Sequence, residues 1–291
     1  MAGLQWMFSS KPLPRRRWCH WVVGVYLVAF LASATFGAKG ATEPPEPLIV
    51  AVAANFAGVA RILGEEFTAE QGVPVQWIVG STGLLSAQIA RGLPVDLLLA
   101  ADVARPRRLV QTGAAVDDSL AVYARGRLAL WVPGGEAPAE PRDYLAKVAA
   151  LAHANPKLAP YGLAAESYLA GLNLPGIGPR IVLGQNVATS FTQVASGAVP
   201  AGLVALAQLV ETRVPDREYL ALPDGDYPAI EQALVLTQRG VRRKVARDFR
   251  ALLLSPRVAR RLEAWGYVGP SDPPISWVSG EHLKVADRDD G

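Results

Sequence analysis

Apolar and polar positions from Leu48 onward follow the pattern of short strands separated by helices. Residues 48–53 form an apolar run of strand length. The apolar positions after it recur at helical spacing until Gly72, which is a typical helix stop. The same order continues, with strands predicted at 73–79 and 95–100 and helices at 84–91 and 103–111. Strands that alternate with helices are typical of α/β folds with largely parallel sheets.

The second half of the chain repeats this order. A strand at 181–184, a helix at 187–195 and a strand at 201–206 follow one another. Residues 88–100 and 193–205 also share a local plan, in which a helix end, a glycine, a proline-containing turn and an apolar strand follow in sequence. Two similar lobes would explain this likeness, and so would a chance similarity between two βα units.

Two further apolar runs, at 128–132 and 234–237, are interpreted as chain crossings between two lobes. The first lobe is then expected to contain residues 48–126 and 235–269, because the chain would return to it through its C-terminal helices. The second lobe is expected to contain residues 127–234. Such a division makes the first lobe discontinuous in sequence.

Both ends of the chain have the composition of segments outside the fold. Residues 1–40 resemble a secretory signal peptide, because arginines precede an apolar run at 21–36 and small residues follow it. That run is shorter than the roughly 20 residues of a membrane span, although an uncleaved membrane anchor is the alternative. A periplasmic protein is therefore expected. A linker is predicted at 41–47 and a polar, poorly ordered tail at 270–291.

Charge and residue types disfavour several function classes. Residues 1–40 carry five basic and no acidic residues, so the rest of the chain has 24 basic and 26 acidic residues. It therefore lacks the excess of basic residues that is typical of nucleic-acid-binding proteins. Cys19, the single cysteine, lies within the predicted leader, and only His153 and His282 lie outside it. A disulfide, a histidine metal cluster or a Ser-His-Asp triad is hard to assemble from these residues. An enzyme is therefore not expected.

Four turns that precede predicted helices present small polar groups, at residues 53–56, 80–83, 160–162 and 185–187. A helix N-terminus offers unpaired backbone N–H groups and partial positive charge, which suits an anion. In open α/β sheets, ligands lie at the carboxyl ends of strands, where these turns are expected. Ordinary helix capping by Asn, Ser and Thr is the alternative for each turn. Contributions from two lobes favour the anion site.

None of these turns contains Lys or Arg. A phosphate-binding lysine is therefore missing, which disfavours a nucleotide site. A set of neutral donors suits an oxyanion that is already fully ionised. Hydrogen bonds to a charged group contribute roughly 1.5–3 kcal/mol each. About seven of them would supply, before costs, free energy comparable to the ~12 kcal/mol of nanomolar binding.

The turns belong to a longer ordered set of short motifs. In chain order these are Ala53-Ala54-Asn55-Phe56, Gly80-Ser81-Thr82-Gly83, Pro94-Val95-Asp96, Leu158-Ala159-Pro160-Tyr161-Gly162, Val194-Ala195-Ser196-Gly197, Gly202-Leu203-Val204 and Trp265-Gly266-Tyr267. The set spans about residues 48–268 and resembles the periplasmic molybdate-binding proteins of ABC importers.

This resemblance implies a type II periplasmic-binding-protein fold with two α/β lobes, two chain crossings and a ligand cleft. It implies that molybdate or tungstate is held as an intact oxyanion by hydroxyl, amide and backbone N–H groups, with no cofactor and no direct bond from protein to metal. The partners would be an ABC permease and its ATPase subunit, and the binding protein itself is expected to be a monomer. Carried over by position, the ligand residues are Asn55, Ser81, Thr82, Tyr161 and Val187, with Ala54 and Asn186 as neighbouring donors.

The motifs match one branch of this family better than another. The other branch has Ser in place of Asn55 and Tyr in place of Ala205. Asp96 and Asp102 are interpreted as helix caps or hinge contacts. The alternative ligands are another anion, such as sulfate or phosphate, and ferric iron, for which Tyr161 lacks an evident Tyr partner in the matching turns. An enzyme acting on an anionic substrate is the least favoured alternative.

Overall fold

The computed structural model describes residues 45–176 and 178–270. The predicted signal peptide at 1–40, the start of the predicted linker and the predicted tail from residue 271 lie outside the described residues. Within the described ranges, no helix is long and apolar enough to span a membrane.

Strands and helices alternate along the described chain. The strands are β1 (Leu48–Ala53), β2 (Val75–Gly80), β3 (Leu97–Leu99), β4 (Ala121–Gly126), β5 (Leu128–Trp131), β6 (Ala150–Ala154), β7 (Arg180–Gly184), β8 (Gly202–Ala205), β9 (Tyr219–Ala221) and β10 (Ile230–Leu236). The α-helices are α1 (Ala57–Gln71), α2 (Thr82–Ala90), α3 (Ala104–Gln111), α4 (Pro141–Leu145), α5 (Pro160–Gly171), α6 (Val187–Ala195), α7 (Leu206–Glu211), α8 (Lys244–Leu253) and α9 (Pro256–Ala259). Short 3-10 segments lie at Ala54–Phe56, Asp117–Ser119, Asp216–Glu218, Gly240–Arg242 and Glu263–Trp265.

Two five-stranded sheets have the same layout. The first has the order β2-β1-β3-β10-β4, and the second has the order β7-β6-β8-β5-β9. In the first, β1 is parallel to β2 and β3, while β10 is antiparallel to β3 and β4. In the second, β6 is parallel to β7 and β8, while β5 is antiparallel to β8 and β9. We call the first sheet, with the helices that pack on it, the first lobe, and the second sheet with its helices the second lobe.

The central strands of the first sheet are buried on both faces, which explains their continuous apolar runs. Val50 and Val52 lie in a core with side chains of α1 and α8, such as Leu63 and Phe249. Ala51, which points to the opposite face, lies in a second core with side chains of α2 and α3. The apolar run at the start of the pattern is therefore a central strand, with the bounds that the sequence predicted.

The repeated local plan corresponds to equivalent places in the two sheets. Residues 88–100 contain the end of α2 and strand β3, and residues 193–205 contain the end of α6 and strand β8. β3 and β8 occupy the same position in their sheets. Gly92 and Gly197 have φ angles of 95° and 75°, a left-handed conformation that only glycine adopts readily. The likeness therefore follows from two similar lobes.

The interpretation of two apolar runs as chain crossings was wrong. Leu128–Trp131 is strand β5 of the second sheet, and Leu234 and Leu236 lie within β10 of the first sheet. The chain instead passes between the sheets at Arg127 and between β9 and β10. Because β10 begins at Ile230, the second passage ends before the predicted boundary at residues 234 and 235. Apolar strands buried on both faces have no alternation that would distinguish them from a buried connection.

The last residues of the predicted linker are held against the first lobe by an ion-pair cluster. Asp96 has no exposed surface, and its carboxylate accepts hydrogen bonds from Arg239 Nε at 2.9 Å, from Arg243 and from the backbone N–H of Ile49 at 2.9 Å. Arg239 also pairs with the Glu46 carboxylate, and Arg243 donates to the carbonyl of Pro47 at 3.0 Å. Asp96 is thus a structural residue that joins the start of β1 to the segment after β10.

Candidate anion-binding site

A small cavity lies where the two lobes meet. Its empty volume is about 200 Å³, a value that includes its opening to solvent. The space suits a small ion. Residues of both lobes line it: Ala53, Ala54, Asn55, Gly80, Ser81, Thr82 and Ala101 from the first, and Ala159, Pro160, Tyr161, Asn186 and Val187 from the second. The structure therefore brings all seven sequence-predicted ligand residues to one cavity.

Strand pairing explains why these turns meet. In the first lobe, β1 and β2 are parallel neighbours, and Ala53 lies opposite Gly80 at their carboxyl ends. In the second lobe, β6 and β7 are parallel neighbours, and Ala154 lies opposite Gly184 at theirs. The turns after β1 and β2 therefore lie together at one edge of the first sheet, and the turns after β6 and β7 lie together at one edge of the second sheet. These two edges face each other across the cavity.

Three helix N-termini are directed at the cavity. Thr82 is the first residue of α2 and Val187 is the first residue of α6. α5 begins with Pro160, which has no N–H group, so Tyr161 carries the first N–H of that helix. The first N–H groups of a helix have no partner within the helix and carry the positive end of its dipole. These three positions therefore offer backbone donors to an anion.

Helix capping and anion binding are compatible at Ser81 and Asn186. Ser81 Oγ accepts a hydrogen bond from the Leu84 N–H at 3.4 Å, and Asn186 Oδ1 accepts from the Thr189 N–H at 3.0 Å. The capping alternative is thus correct for both residues. Capping uses the side-chain oxygen as an acceptor, so the Ser81 hydroxyl hydrogen and the Asn186 amide hydrogens stay available as donors.

Thr82 has a similar double role. Its Oγ1 accepts a hydrogen bond from the Ala101 N–H at 3.0 Å, which ties the start of α2 to the segment after β3. Its hydroxyl hydrogen and its backbone N–H are donors toward the cavity. The side chain is almost fully buried, so its position is fixed by its surroundings.

The Asn55 side chain lines the cavity and is also hydrogen-bonded within the first lobe. Its Nδ2 donates to Gln232 Oε1 at 2.9 Å and to the Tyr267 hydroxyl at 3.3 Å. The Tyr267 hydroxyl in turn donates to the Asn55 carbonyl at 2.6 Å. Sequence reasoning missed Gln232 and Tyr267 as partners of Asn55. One signal was present, because Gln232 is a polar residue within the apolar strand β10.

The Tyr161 side chain runs behind the cavity toward the first chain crossing. It is 1% exposed, and its hydroxyl lies beside Gly126. Burial raises the pKa of Tyr161 well above its ordinary value, so the hydroxyl keeps its proton. The Asn55 amide and the backbone at Arg127 oppose this shift in pKa, but neither makes a hydrogen bond of good geometry with the hydroxyl. The backbone N–H of Tyr161 is thus a donor for the cavity, while its ring packs in the buried region behind it.

Asp102 and Arg105 connect the lobes at the rim of the cavity. Asp102 Oδ1 accepts from the Arg105 N–H at 2.8 Å, which caps α3, and the Asp102 carboxylate also pairs with the Arg105 guanidinium. Arg105 Nη2 then donates to the carbonyl of Lys157 in the second lobe at 3.1 Å. Asp102 is therefore a cap and an indirect contact between lobes.

The cavity lining is electrically neutral. Of the described residues that line it, none has a charged side chain, and Tyr161 is its one tyrosine. In the described part of the chain, no group of three His, Cys, Asp or Glu residues is arranged to hold a metal ion. The lining therefore lacks the paired Tyr and carboxylate ligands that ferric iron would need.

The comparison with known families agrees with this geometry. The family model for bacterial extracellular solute-binding proteins matches residues 48–268.

The chain belongs to this family.

The resemblance to molybdate-binding proteins, predicted from the sequence motifs, is confirmed by relatives of this solute-binding protein. It is 32% identical over 229 residues to the molybdate-binding protein ModA of Rhodobacter capsulatus, which covers 76% of this chain and 88% of the relative. It is 33% identical over 225 residues to ModA of Azotobacter vinelandii, which covers 75% of this chain and 88% of the relative.

A solved structure confirms the predicted fold class. The periplasmic molybdate-binding protein of Azotobacter vinelandii superposes on this solute-binding protein with a TM-score of 0.70 at 32% identity, covering 77% of this chain and 99% of that one. The two α/β lobes and the cleft between them are thus the architecture of a periplasmic binding protein.

Proposed function

We propose that this solute-binding protein captures molybdate or tungstate outside the cytoplasm and delivers it to an ABC importer. One observation carries the proposal: the cavity between the lobes is lined by neutral hydrogen-bond donors at three helix N-termini, with no charged side chain in the described lining. The names of the relatives support the choice of ligand.

Neutral donors are sufficient for a dianion. Backbone N–H groups of Thr82, Tyr161 and Val187 and the hydroxyls of Ser81 and Thr82 would surround its oxygens, with Ala54, Asn55 and Asn186 adding further donors. Each hydrogen bond to a charged group contributes roughly 1.5–3 kcal/mol. The three helix dipoles add to this attraction without a protein counter-charge. Selection against sulfate would come from size, because molybdate and tungstate are larger tetrahedra.

Closure of the lobes would complete the site. The anion would first contact donors of one lobe, and the second lobe would then close over it. Closure removes water, which strengthens each hydrogen bond to the anion. The closed form is the state that an ABC permease and its ATPase subunit would receive. The role is binding rather than catalysis, and export through the segment 1–40 would place the protein in the periplasm.

Thermal unfolding with and without ligand tests this function. Saturating molybdate is expected to raise the Tm of the chain from Ala41, since a ligand that binds only the folded state stabilises it. Sulfate and phosphate at the same concentration serve as controls for the rival anions. An increase with sulfate or phosphate and none with molybdate or tungstate would assign the cavity to another oxyanion.

A further inference from the structure

The two chain passages between the lobes differ in length. The first passage is Arg127 alone, between β4 and β5, and the second passage is residues 222–229, between β9 and β10. A single residue leaves the chain little freedom, whereas a longer segment has many possible paths. The second passage also contains Gly225 with a φ of 107°, a conformation that glycine adopts readily. The path of the second passage therefore depends on what it contacts.

Two side chains of the second passage hold it against the first. The Tyr227 hydroxyl oxygen accepts a hydrogen bond from the Leu128 N–H at 3.0 Å. Asp224 Oδ2 lies 3.6 Å from Arg125 Nη2 in an ion pair. Arg125 precedes Arg127 in the first lobe, and Leu128 follows it in the second. The second passage is therefore fastened to the first on both sides of Arg127.

Tyr227 makes the more buried of these two contacts. Its side chain is 6% exposed and Leu128 has no exposed surface, so solvent does not replace the phenol oxygen as acceptor for the Leu128 N–H. The side chains of Asp224 and Arg125 are partly exposed, which weakens their ion pair. A buried hydrogen bond thus fixes the long passage beside the short one.

The first passage lies against a residue of the anion site. A Cβ atom at Gly126, just before Arg127, would overlap the Tyr161 hydroxyl. Tyr161 also carries the first backbone N–H of α5 and lines the cavity. Its side chain therefore contacts the passage while its backbone faces the anion site. A shift in the path of the passages would move this donor.

We propose that Tyr227 is a positioning residue for lobe closure: it holds the second passage against the first, so that the two bend together at Gly126 and Arg127. This inference rests on the proposed function and deepens it. Closure brings donors of both lobes to one anion, so it needs a single relative orientation of the lobes. Two passages that bend separately allow more orientations of the open form, and ordering them lowers the affinity. Tyr227 lies outside the cavity lining.

Tyr227→Phe removes the phenol oxygen and keeps the ring. Ser119→Ala is the matched control, because Ser119 Oγ accepts from the N–H of the buried Leu236 at 2.9 Å, near the end of β4 opposite Gly126. Each variant leaves one buried strand N–H without its partner, so the urea midpoint should fall in both. Only Tyr227→Phe is expected to raise the Kd for molybdate in titration calorimetry, by about threefold to tenfold.

Asp224→Lys tests the second contact with little risk to the core, because Asp224 is exposed. Lysine at this position would repel Arg125 and loosen the second passage. Asp226→Lys, at another exposed position in the same passage, makes the same change in charge. Any general effect of the added charge on the anion is therefore common to both variants. The Kd for molybdate of Asp224→Lys is expected to exceed that of Asp226→Lys by about threefold.

The outcomes separate this inference from the function it rests on. Wild-type protein that binds neither molybdate nor tungstate would overturn both. If the wild type binds, an unchanged Kd in Tyr227→Phe, or an equal rise in Ser119→Ala, would overturn the positioning role alone. If Tyr227→Phe does not fold, the comparison of Asp224→Lys with Asp226→Lys decides, and equal Kd values in that pair would overturn the joint bending of the two passages.

Discussion

The backbone N–H of Gly83 donates a hydrogen bond to the carbonyl oxygen of Leu158 at 2.9 Å. Gly83 lies in the first turn of α2 in the first lobe, and Leu158 lies in the turn before α5 in the second. A Cβ atom at Gly83 would lie 2.8 Å from that oxygen and 3.2 Å from Leu158 Cα. The two lobes therefore touch at the rim of the cavity, at a distance that requires glycine.

Gly83→Ala is expected to separate the lobes. Alanine is more favourable than glycine within a helix, so α2 itself should not be weakened. The clash with Leu158 should raise the Kd for molybdate by about tenfold, equivalent to ~1.4 kcal/mol. Titration calorimetry measures the Kd, and X-ray scattering measures the radius of gyration with ligand bound. Gly171→Ala, at a helix position with open space around it, is the control. Equal Kd values for both variants would show that this contact does not matter for closure.

Arg105→Gln should speed the release of the ligand. The guanidinium of Arg105 links Asp102 of its own lobe to the Lys157 carbonyl of the other, so its loss removes one bond of the closed form. Because the pair is partly exposed, the expected rise in dissociation rate is only about threefold to fivefold. Stopped-flow displacement of molybdate measures this rate. Arg108→Gln, an exposed position on the same helix, makes the same charge change and should dissociate like wild type.

Asp96→Asn is expected to lower the stability of the fold while leaving the cavity intact. Asp96 is fully buried between Arg239 and Arg243, and its loss would leave both guanidinium groups paired with the exposed Glu46 alone. Because both arginines are partly exposed and keep Glu46, the expected cost is about 2 kcal/mol, below that of a fully buried pair. Urea unfolding measures the free-energy difference. The control is Asp248→Asn, which breaks the exposed pair with Lys244 and should cost less than about 1 kcal/mol. A similar small loss in both variants would contradict a structural role for Asp96.

Glu66 should contribute to stability in a pH-dependent way. Hydrogen bonds from Arg261 at 2.8 and 2.7 Å lower the pKa of Glu66 below its ordinary value. A lowered pKa means that the contribution is complete above the unfolded-state pKa of about 4.3 and is lost as pH falls through the folded-state value. Glu66→Gln should therefore lower the free energy of unfolding at pH 7 by up to about 1 kcal/mol. The difference from wild type should shrink below pH 4.3, and a constant difference at every pH would argue against this origin.

Local patterns predicted the parts of the site that depend on neighbouring residues. The bounds of β1 and α6 agree with the prediction, because each has a clear period and a clear stop. The turns after β1, β2, β6 and β7 converge because parallel neighbours end at the same edge. The positions of the donors around the cavity could therefore be read from strand and helix order.

Long-range pairings could not be predicted in the same way. Asn55 and Gln232 are 177 residues apart, and nothing in the local pattern of β10 indicates which side chain its glutamine meets. The orientation of the Asn55 amide depends on that partner. Likewise, the sequence of β5 and of the end of β10 does not distinguish a strand from a crossing, because a strand buried on both faces has no alternation of polar and apolar residues. Tertiary packing decides both features.

Titration calorimetry of the chain from Ala41 with molybdate, tungstate and sulfate tests the central claim most directly. The account predicts tight one-to-one binding of molybdate and tungstate, with a Kd on the order of nanomolar, and no measurable heat with sulfate. No heat with molybdate or tungstate, or tight binding of sulfate, would contradict the assignment of the cavity to these two anions.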